Sequence, residues 1–211
     1  NGHGFKIDED TKIEIQKIVA SGELTALSRE RIWMETFKAL TTDNPEIYFK
    51  VIEECGALSQ ICPVSQLDTS NLTKALKTQI DPNARWACLV APNTLLEDIN
   101  DSFNVPKEYK EISEVCRQII TFKKLESIKV EDIIELADKT DIYRKEDRFL
   151  KAEQISNFCI DNNYNENLNW SEIVKLMNNI KASPELKKGK LIAKKLREDR
   201  INAIQLYLSK S

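Results

Sequence analysis

Apolar residues recur at intervals of three and four along much of this 211-residue chain. Two such series are Ile32, Trp33, Phe37, Leu40 and Ile173, Leu176, Met177, Ile180. This spacing places apolar side chains on one face of an α-helix. The chain contains only 5 glycines and 6 prolines, a composition that favours long helices over a turn-rich β fold. The sequence therefore predicts an all-α protein.

Local signals predict where several helices begin and end. Asp8 and Ser28 are predicted N-caps, because a short oxygen-bearing side chain can accept hydrogen bonds from the free amides of a first turn. Pro45 is expected to open another helix, and Gly56 to lie near its end. The apolar run ARWACLVAP is short enough for a strand, but no neighbouring strand candidate exists, so we interpret it as a buried helix.

The remaining predicted helices lie in the second half of the chain. Their sequences are PKEYKEISEVCRQIITFKKL, KVEDIIELADKTD, YRKEDRFLKAEQISNFCID, NWSEIVKLMNNI and SPELKKGKLIAKKLREDRINAIQLYL. Residues 161–169 form the predicted linker before the last two helices. Acidic pairs such as Asp138 and Asp141 are interpreted as solvated helix faces, the usual setting of surface carboxylates.

Several classes of protein are disfavoured by composition. No apolar run approaches the roughly 20 residues that cross a bilayer, and the amino end lacks the features of a signal peptide. We therefore expect a cytoplasmic protein without a membrane partner. The 5 cysteines contain no C-x-x-C pair and only 1 histidine is present, so zinc sites and disulfide frameworks are poorly supported.

Charge is distributed unevenly along the chain. Residues 181–211 contain 9 basic and 3 acidic residues, a net charge of +6, so that the first 180 residues carry −9. An acidic body followed by a basic tail is typical of proteins whose tail binds a polyanion. A basic helix whose charged face is merely solvated is the alternative.

An ordered set of short motifs in the first third of the chain resembles a known family. The matching residues are Gly4-Phe5, Gly22-Glu23-Leu24, Leu27-Ser28, Glu30-Arg31-Ile32-Trp33, Glu35, Asn44-Pro45, Phe49 and Cys55-Gly56-Ala57-Leu58. Together they resemble the neck and early body of bacterial CCA-adding enzymes, tRNA nucleotidyltransferases of the class that also includes bacterial poly(A) polymerases. The stretches NVPKEY, DIIELADKTDIYRKEDR and GKLIAKKLREDRINAI extend the resemblance to the body and tail.

The resemblance implies a helical neck and start of the body over residues 1–64, a degenerate HD-type helical body over 65–160 and a basic helical tail over 161–211. It assigns Glu30, Arg31 and Glu35 to a neck motif that supports the nucleotide-reading helix and positions it against a catalytic head. A plain Arg31–Glu35 pair at i,i+4, contributing only about 0.3–0.5 kcal/mol, is the alternative.

The resemblance also implies an RNA-binding surface in the tail that contacts the elbow of tRNA. The residues assigned to it are Lys187, Lys188, Lys190, Lys194, Lys195 and Arg197. Contacts there are expected to be with phosphates and overall shape rather than with base edges. The implied partners are tRNA and the catalytic head, and no DNA is expected.

Two departures from the family limit what this chain is expected to do alone. The catalytic head, with its paired aspartates and Gly-rich loop, is expected amino-terminal to Asn1, and with it the sites for Mg²⁺, ATP and CTP. Relatives with an HD phosphohydrolase body have an adjacent His-Asp where this chain has Ala91-Pro92, and an earlier histidine aligns with Leu72. Without such ligands we expect no divalent metal in the body.

The favoured function is therefore the tRNA-binding carboxyl-terminal portion of an enzyme that adds CMP and AMP to a tRNA 3′ end, a portion without catalytic residues or cofactors and inactive by itself. The first alternative is the equivalent portion of a bacterial poly(A) polymerase. The second is a non-catalytic helical interaction protein with an acidic binding face. An HD-type phosphohydrolase is argued against by Ala91-Pro92 and by the single histidine.

Overall fold

The fold was examined in a computed structural model that describes residues 8–160, 168–181 and 189–209, the last range with side chains from Leu191 onward. These residues contain twelve α-helices, one short 3-10 helix and no strand. The helices are α1 (Glu9–Ala20), the 3-10 helix (Glu23–Ala26), α2 (Arg29–Leu40), α3 (Pro45–Glu54), α4 (Leu58–Ile61), α5 (Ser70–Ala75), α6 (Pro82–Val90), α7 (Leu96–Ser102), α8 (Lys107–Lys123), α9 (Val130–Thr140), α10 (Glu146–Ser156), α11 (Trp170–Asn179) and α12 (Gly189–Leu208). The predicted all-α class is confirmed.

The predicted helix boundaries in the first part of the chain are confirmed. The Asp8 carboxylate accepts a hydrogen bond from the Thr11 amide at 2.8 Å, and the Ser28 hydroxyl accepts one from the Arg31 amide at 3.3 Å. Pro45 is the first residue of α3, and Gly56 follows its end with φ of 75°, a conformation that glycine adopts without strain. The run interpreted as a buried helix is α6, in which Trp86 is fully buried.

The chain divides into two compact units, Asn1–Arg117 and Gln118–Ser211, and the boundary falls inside α8. The core of the first unit is built around aromatic rings in edge-to-face contact, the arrangement that ring quadrupoles favour. The Trp33 ring lies 5.4 Å from Trp86 and 5.0 Å from Tyr109, measured between ring centroids. Phe103 packs against the other side of Trp86 at 5.3 Å. Trp33 thereby fixes α2 in this core.

Several polar groups inside the first unit are paired. The Trp86 indole donates to the Asn100 amide oxygen at 2.9 Å, and the Asn100 amide nitrogen donates to the Ser113 hydroxyl at 3.2 Å. The Arg85 guanidinium donates to the carbonyl oxygens of Leu40 and Thr42, both at 2.7 Å. These carbonyls lie at the end of α2, where the helix itself supplies no donor, so Arg85 satisfies them.

The second unit has its own aromatic core. The Trp170 ring lies 4.9 Å from Phe149 and 5.5 Å from Phe122. In the same unit, the Lys123 ammonium lies 3.0 Å from the Glu153 carboxylate, with both side chains largely buried. A paired arrangement is what makes burial of two charges tolerable.

One prediction about the second half of the chain needs correction, and one helix in the first half was missed. The helix predicted to open at Tyr143 begins at Glu146 instead, because α9 ends at Asp141 in the left-handed conformation, φ 53°, and the chain turns before α10. Helix α7 was not predicted at all. Its seven residues include only Leu96, Ile99 and Asn100 as buried positions, too few to give a clear periodic pattern.

Among the described residues, no helix has the length and the apolar character that crossing a membrane requires.

Candidate functional site

The predicted neck residues Glu30, Arg31 and Glu35 all lie on the exposed side of α2. The opposite side of this helix buries Trp33 and Leu40 in the core of the first unit. Because the apolar side is fixed by the core, the charged side has a defined orientation toward solvent. The structure thus brings the three predicted side chains onto one face of one helix.

The expected alternative, a simple Arg31–Glu35 pair, is not formed. The Glu35 carboxylate instead accepts from the Lys38 ammonium at 2.9 Å, an i,i+3 pair whose side chains are 56% and 63% exposed. Within residues 8–160, 168–181 and 189–209, neither Glu30 nor Arg31 takes part in an ion pair. Met34, which lies between Arg31 and Glu35 in α2, is 54% exposed, an unusually high exposure for a large apolar side chain.

The predicted tail residues are described only in part. Lys187 and Lys188 lie outside the described residues, and Lys190 belongs to α12 without a described side chain. The Lys194 ammonium lies 3.9 Å from the Glu198 carboxylate, and the Lys195 ammonium lies 3.0 Å from Asp199. Both are i,i+4 pairs on an exposed helix, so each contributes little to stability and leaves the lysine accessible.

Arg197 is placed differently from the lysines. Its guanidinium pairs with the Asp138 carboxylate of α9, which also accepts a hydrogen bond from the Tyr143 hydroxyl at 3.1 Å. One turn further along α12, the Arg200 guanidinium carbon lies 3.7 Å from the centre of the Tyr143 ring, a cation–π geometry. We call these four residues, Asp138, Tyr143, Arg197 and Arg200, the α9–α12 contact.

The α9–α12 contact perturbs its tyrosine. Burial of the hydroxyl, followed by the negative charge of Asp138, raises the pKa of Tyr143 from 10.0 to about 12. Both causes disfavour the phenolate. Tyr143 therefore stays neutral at physiological pH and acts as a hydrogen-bond donor to Asp138.

Further contacts of α12 are made with α9 and α11. Ile204 is the buried residue of this helix among those described, and the Tyr207 hydroxyl donates to the Glu172 carboxylate of α11 at 2.7 Å. The contacts of Ile204 and Tyr207 lie in the carboxyl-terminal half of α12. The amino-terminal half, which holds Lys194 and Lys195, is largely exposed.

The positions where an HD-type body would hold a metal are occupied by residues that cannot ligate one. Leu72 and Ala91 are buried and aliphatic, and Pro92 follows as an exposed residue. In the part of the chain that the structure describes, no group of three or more His, Cys, Asp or Glu side chains has a geometry that could hold a metal ion.

Comparison with known proteins gives a family match over the first part of the chain. Residues 4–67 match the family described as the probable RNA and SrmB-binding site of polymerase A. The α2 face with Glu30, Arg31 and Glu35 falls within the matched region. No solved structure gives a significant match.

Curated relatives match over more of the chain. A multifunctional CCA protein of Pseudomonas putida is 33% identical over 154 residues, which is 69% of this chain and 41% of that protein. A CCA-adding enzyme of a second Pseudomonas putida strain is 32% identical, with the same coverage of 69% and 41%. A CCA-adding enzyme of Coxiella burnetii is 27% identical over 215 residues, 97% of this chain and 57% of that enzyme.

These matches confirm the predicted resemblance to the CCA-adding enzymes and extend it over most of the chain. The chain spans about 41–57% of the length of these relatives.

Proposed function

Because this chain is similar to part of the CCA-adding enzymes, we propose that it is the tRNA-binding, carboxyl-terminal portion of such an enzyme. The observation that carries this proposal is the similarity to CCA-adding enzymes over 69–97% of the chain. The match of residues 4–67 to an RNA-binding family supports the same assignment. The whole protein would add CMP and AMP to the 3′ end of tRNA.

In this proposal the tail supplies the electrostatic part of tRNA binding. Lys194 and Lys195 are exposed and held only by pairs along their own helix, so phosphates can replace Glu198 and Asp199 as their partners. Lys187, Lys188, Lys190 and Arg197 complete the proposed set. Contacts of this kind fix the position of an RNA without reading its sequence.

The neck residues have a different proposed role. Glu30 and Arg31 are exposed and without ion-pair partners among the described residues, and Met34 between them is an exposed apolar side chain. We propose that this face of α2 packs against the catalytic head and positions the nucleotide-reading helix. The rigid attachment of α2 through Trp33 suits such a role, because a site is held more exactly by a packed helix than by a loop.

Nucleotide transfer itself is assigned to the head. Mg²⁺ with ATP or CTP would supply charge stabilisation there during phosphoryl transfer. We expect the chain of residues 1–211 to incorporate no CMP or AMP into tRNA by itself. Incorporation of labelled CMP or AMP by the purified chain with Mg²⁺ would contradict this expectation.

A second candidate has one observation in its favour. The family that matches residues 4–67 is named for polymerase A, so the chain is also consistent with a portion of a poly(A) polymerase. The two functions differ in their products. The whole protein would extend a tRNA by three nucleotides in the first case and would build a long adenylate tail in the second.

Binding to tRNA can be tested directly on this chain. The variant Lys187→Glu, Lys190→Glu, Lys194→Glu is expected to weaken binding of a labelled tRNA transcript by at least about tenfold. If the lysines neutralise phosphates, the slope of log K against log salt should also flatten by roughly two units or more. Helicity should change little, because Lys and Glu have similar helix propensities.

A matched control distinguishes the loss of the tail lysines from the effect of a change in net charge. Three exposed lysines elsewhere give the same change in net charge: Lys50→Glu, Lys77→Glu and Lys124→Glu. The control variant should lose less than about threefold in affinity and keep its salt slope. Equal losses for both variants, or no loss for the tail variant, would contradict the proposed site.

A further inference from the structure

The basic residues of α12 and its docking residues form one continuous stripe. Lys190, Lys194 and Arg197 are spaced by four and three residues, and the same rhythm continues through Arg200, Ile204 and Tyr207. Residues at this spacing share one face of a helix. Lys194, which is proposed to bind RNA, therefore shares this stripe with the residues that dock α12 and precedes them along the helix.

Polar contacts contribute to the attachment of the docked half. Ile204 supplies the buried apolar contact, whereas Arg197 and Arg200 contact the carboxylate of Asp138 and the ring of Tyr143. Asp138 connects the two sides, since it accepts from both Arg197 and the Tyr143 hydroxyl. The direction of α12 therefore depends in part on these contacts, beside the packing of its apolar residues against α9 and α11.

From this arrangement we propose that Asp138 is a positioning residue for RNA binding, acting through Arg197 to hold α12 so that its lysines face the phosphates. The inference rests on the proposed function of the tail. A helix held in one direction binds with less loss of conformational freedom than one that samples many directions. Asp138 thus promotes binding of a polyanion although it is itself an anion.

The direction in which RNA affinity changes when the Asp138 charge is removed makes the inference testable. An acidic residue near bound RNA normally weakens binding by repulsion, and its removal would also free Arg197 for a phosphate. Both effects predict that Asp138→Asn binds RNA more tightly. A positioning role predicts the opposite: Asp138→Asn should bind RNA about three- to fivefold more weakly. This is the size expected when a half-exposed ion pair and its hydrogen bond are lost.

The experiment measures binding of a labelled tRNA transcript to the full 211-residue chain and to Asp138→Asn at one salt concentration. Glu135→Gln is the matched control, because it removes the same charge from α9 but its partner is Lys139 on the same helix, at 2.6 Å. The control should bind within about twofold of the parent. Thermal unfolding of each variant checks that the second unit remains folded.

Two further variants separate positioning from a general structural effect. Asp138→Glu keeps the charge and should restore affinity to within about twofold of the parent. In an Arg197→Gln background, Asp138→Asn should cause no additional loss, because its effect passes through the missing arginine. An equal loss in both backgrounds would overturn the inference.

The outcomes also distinguish this inference from the function on which it rests. If the tail lysine variant weakens tRNA binding but Asp138→Asn binds as tightly as the parent or more tightly, the positioning role fails and the proposed function stands. If neither variant affects tRNA binding, both proposals fail. A loss with Asp138→Asn, restored by Asp138→Glu, supports the positioning role.

Discussion

Helices α2 and α12 both carry charged residues with proposed functions, but they are held in the fold by different forces. In α2 the attachment is apolar, with Trp33 packed edge-on against Trp86 and Tyr109. In α12 the attachment includes an ion pair and a cation–π contact, through Arg197 and Arg200, beside the buried Ile204. The charges on α2 are therefore separate from its folding, whereas those on α12 contribute to docking as well as to the proposed binding. Mutating a charged residue of α2 should therefore affect only its proposed contact. Mutating Arg197 of α12 should affect both the docking of the helix and the proposed RNA binding.

The largest expected effect is on the apolar side of α2. Trp33→Ala should reduce the free energy of unfolding of the first unit by about 3–5 kcal/mol, because it removes a buried ring and leaves a cavity. The neighbouring change Met34→Ala is the control, since Met34 is 54% exposed; it should stay within about 0.5 kcal/mol of the parent. Urea unfolding followed by circular dichroism measures both. Similar losses for the two variants would show that the core does not fix α2.

A smaller effect is expected at the α9–α12 contact at high pH. The pKa of Tyr143 is raised from 10.0 to about 12 in the fold, so the unfolded state loses its proton first as pH rises. The contribution of this group to stability is complete below about pH 10 and is lost as pH rises through about 12. The parent should therefore lose its stability advantage over Tyr143→Phe between about pH 10 and pH 12.

This pH dependence is measured as the difference in unfolding free energy between the parent and Tyr143→Phe at each pH. The other ionisable groups are common to both proteins, so their titration cancels in the difference. A difference that stays constant over this range would mean that the Tyr143 hydroxyl is not buried against Asp138.

The smallest effects on stability are expected on the outer side of α2. Glu30→Gln, Arg31→Gln and Glu35→Gln should each change the free energy of unfolding by less than about 0.5 kcal/mol, because an exposed charge or an exposed i,i+3 pair contributes little. If one of them destabilises the first unit by more than about 1 kcal/mol, its role lies in folding rather than in contact with another domain.

The local features of this structure could be read from the sequence, and the long-range ones could not. Ser28 as an N-cap and Pro45 as a helix start follow from chemistry within one turn, and the sequence predicted both. By spacing alone, both Arg31 and Lys38 could pair with Glu35. The side-chain conformations in the structure place Lys38 as its partner.

Asp138 is the clearest example of what sequence reasoning missed. It was interpreted as a solvated carboxylate, yet it pairs with Arg197, which lies 59 residues further along the chain. No local spacing connects these residues, because their meeting depends on how α12 packs against α9. The contact also gives Arg197, predicted only as an RNA-binding residue, a second role in holding the helix.

The most direct test of this account is hydrogen exchange in α2 and α12 at two salt concentrations, about 0.05 M and about 0.5 M. Salt screens ionic contacts between exposed groups but leaves aromatic packing in place. The account predicts that amides in residues 191–208 exchange several-fold faster at high salt, whereas those in residues 29–40 keep their protection. Equal protection of α12 at both salt concentrations would contradict the claim that charge holds this helix in place.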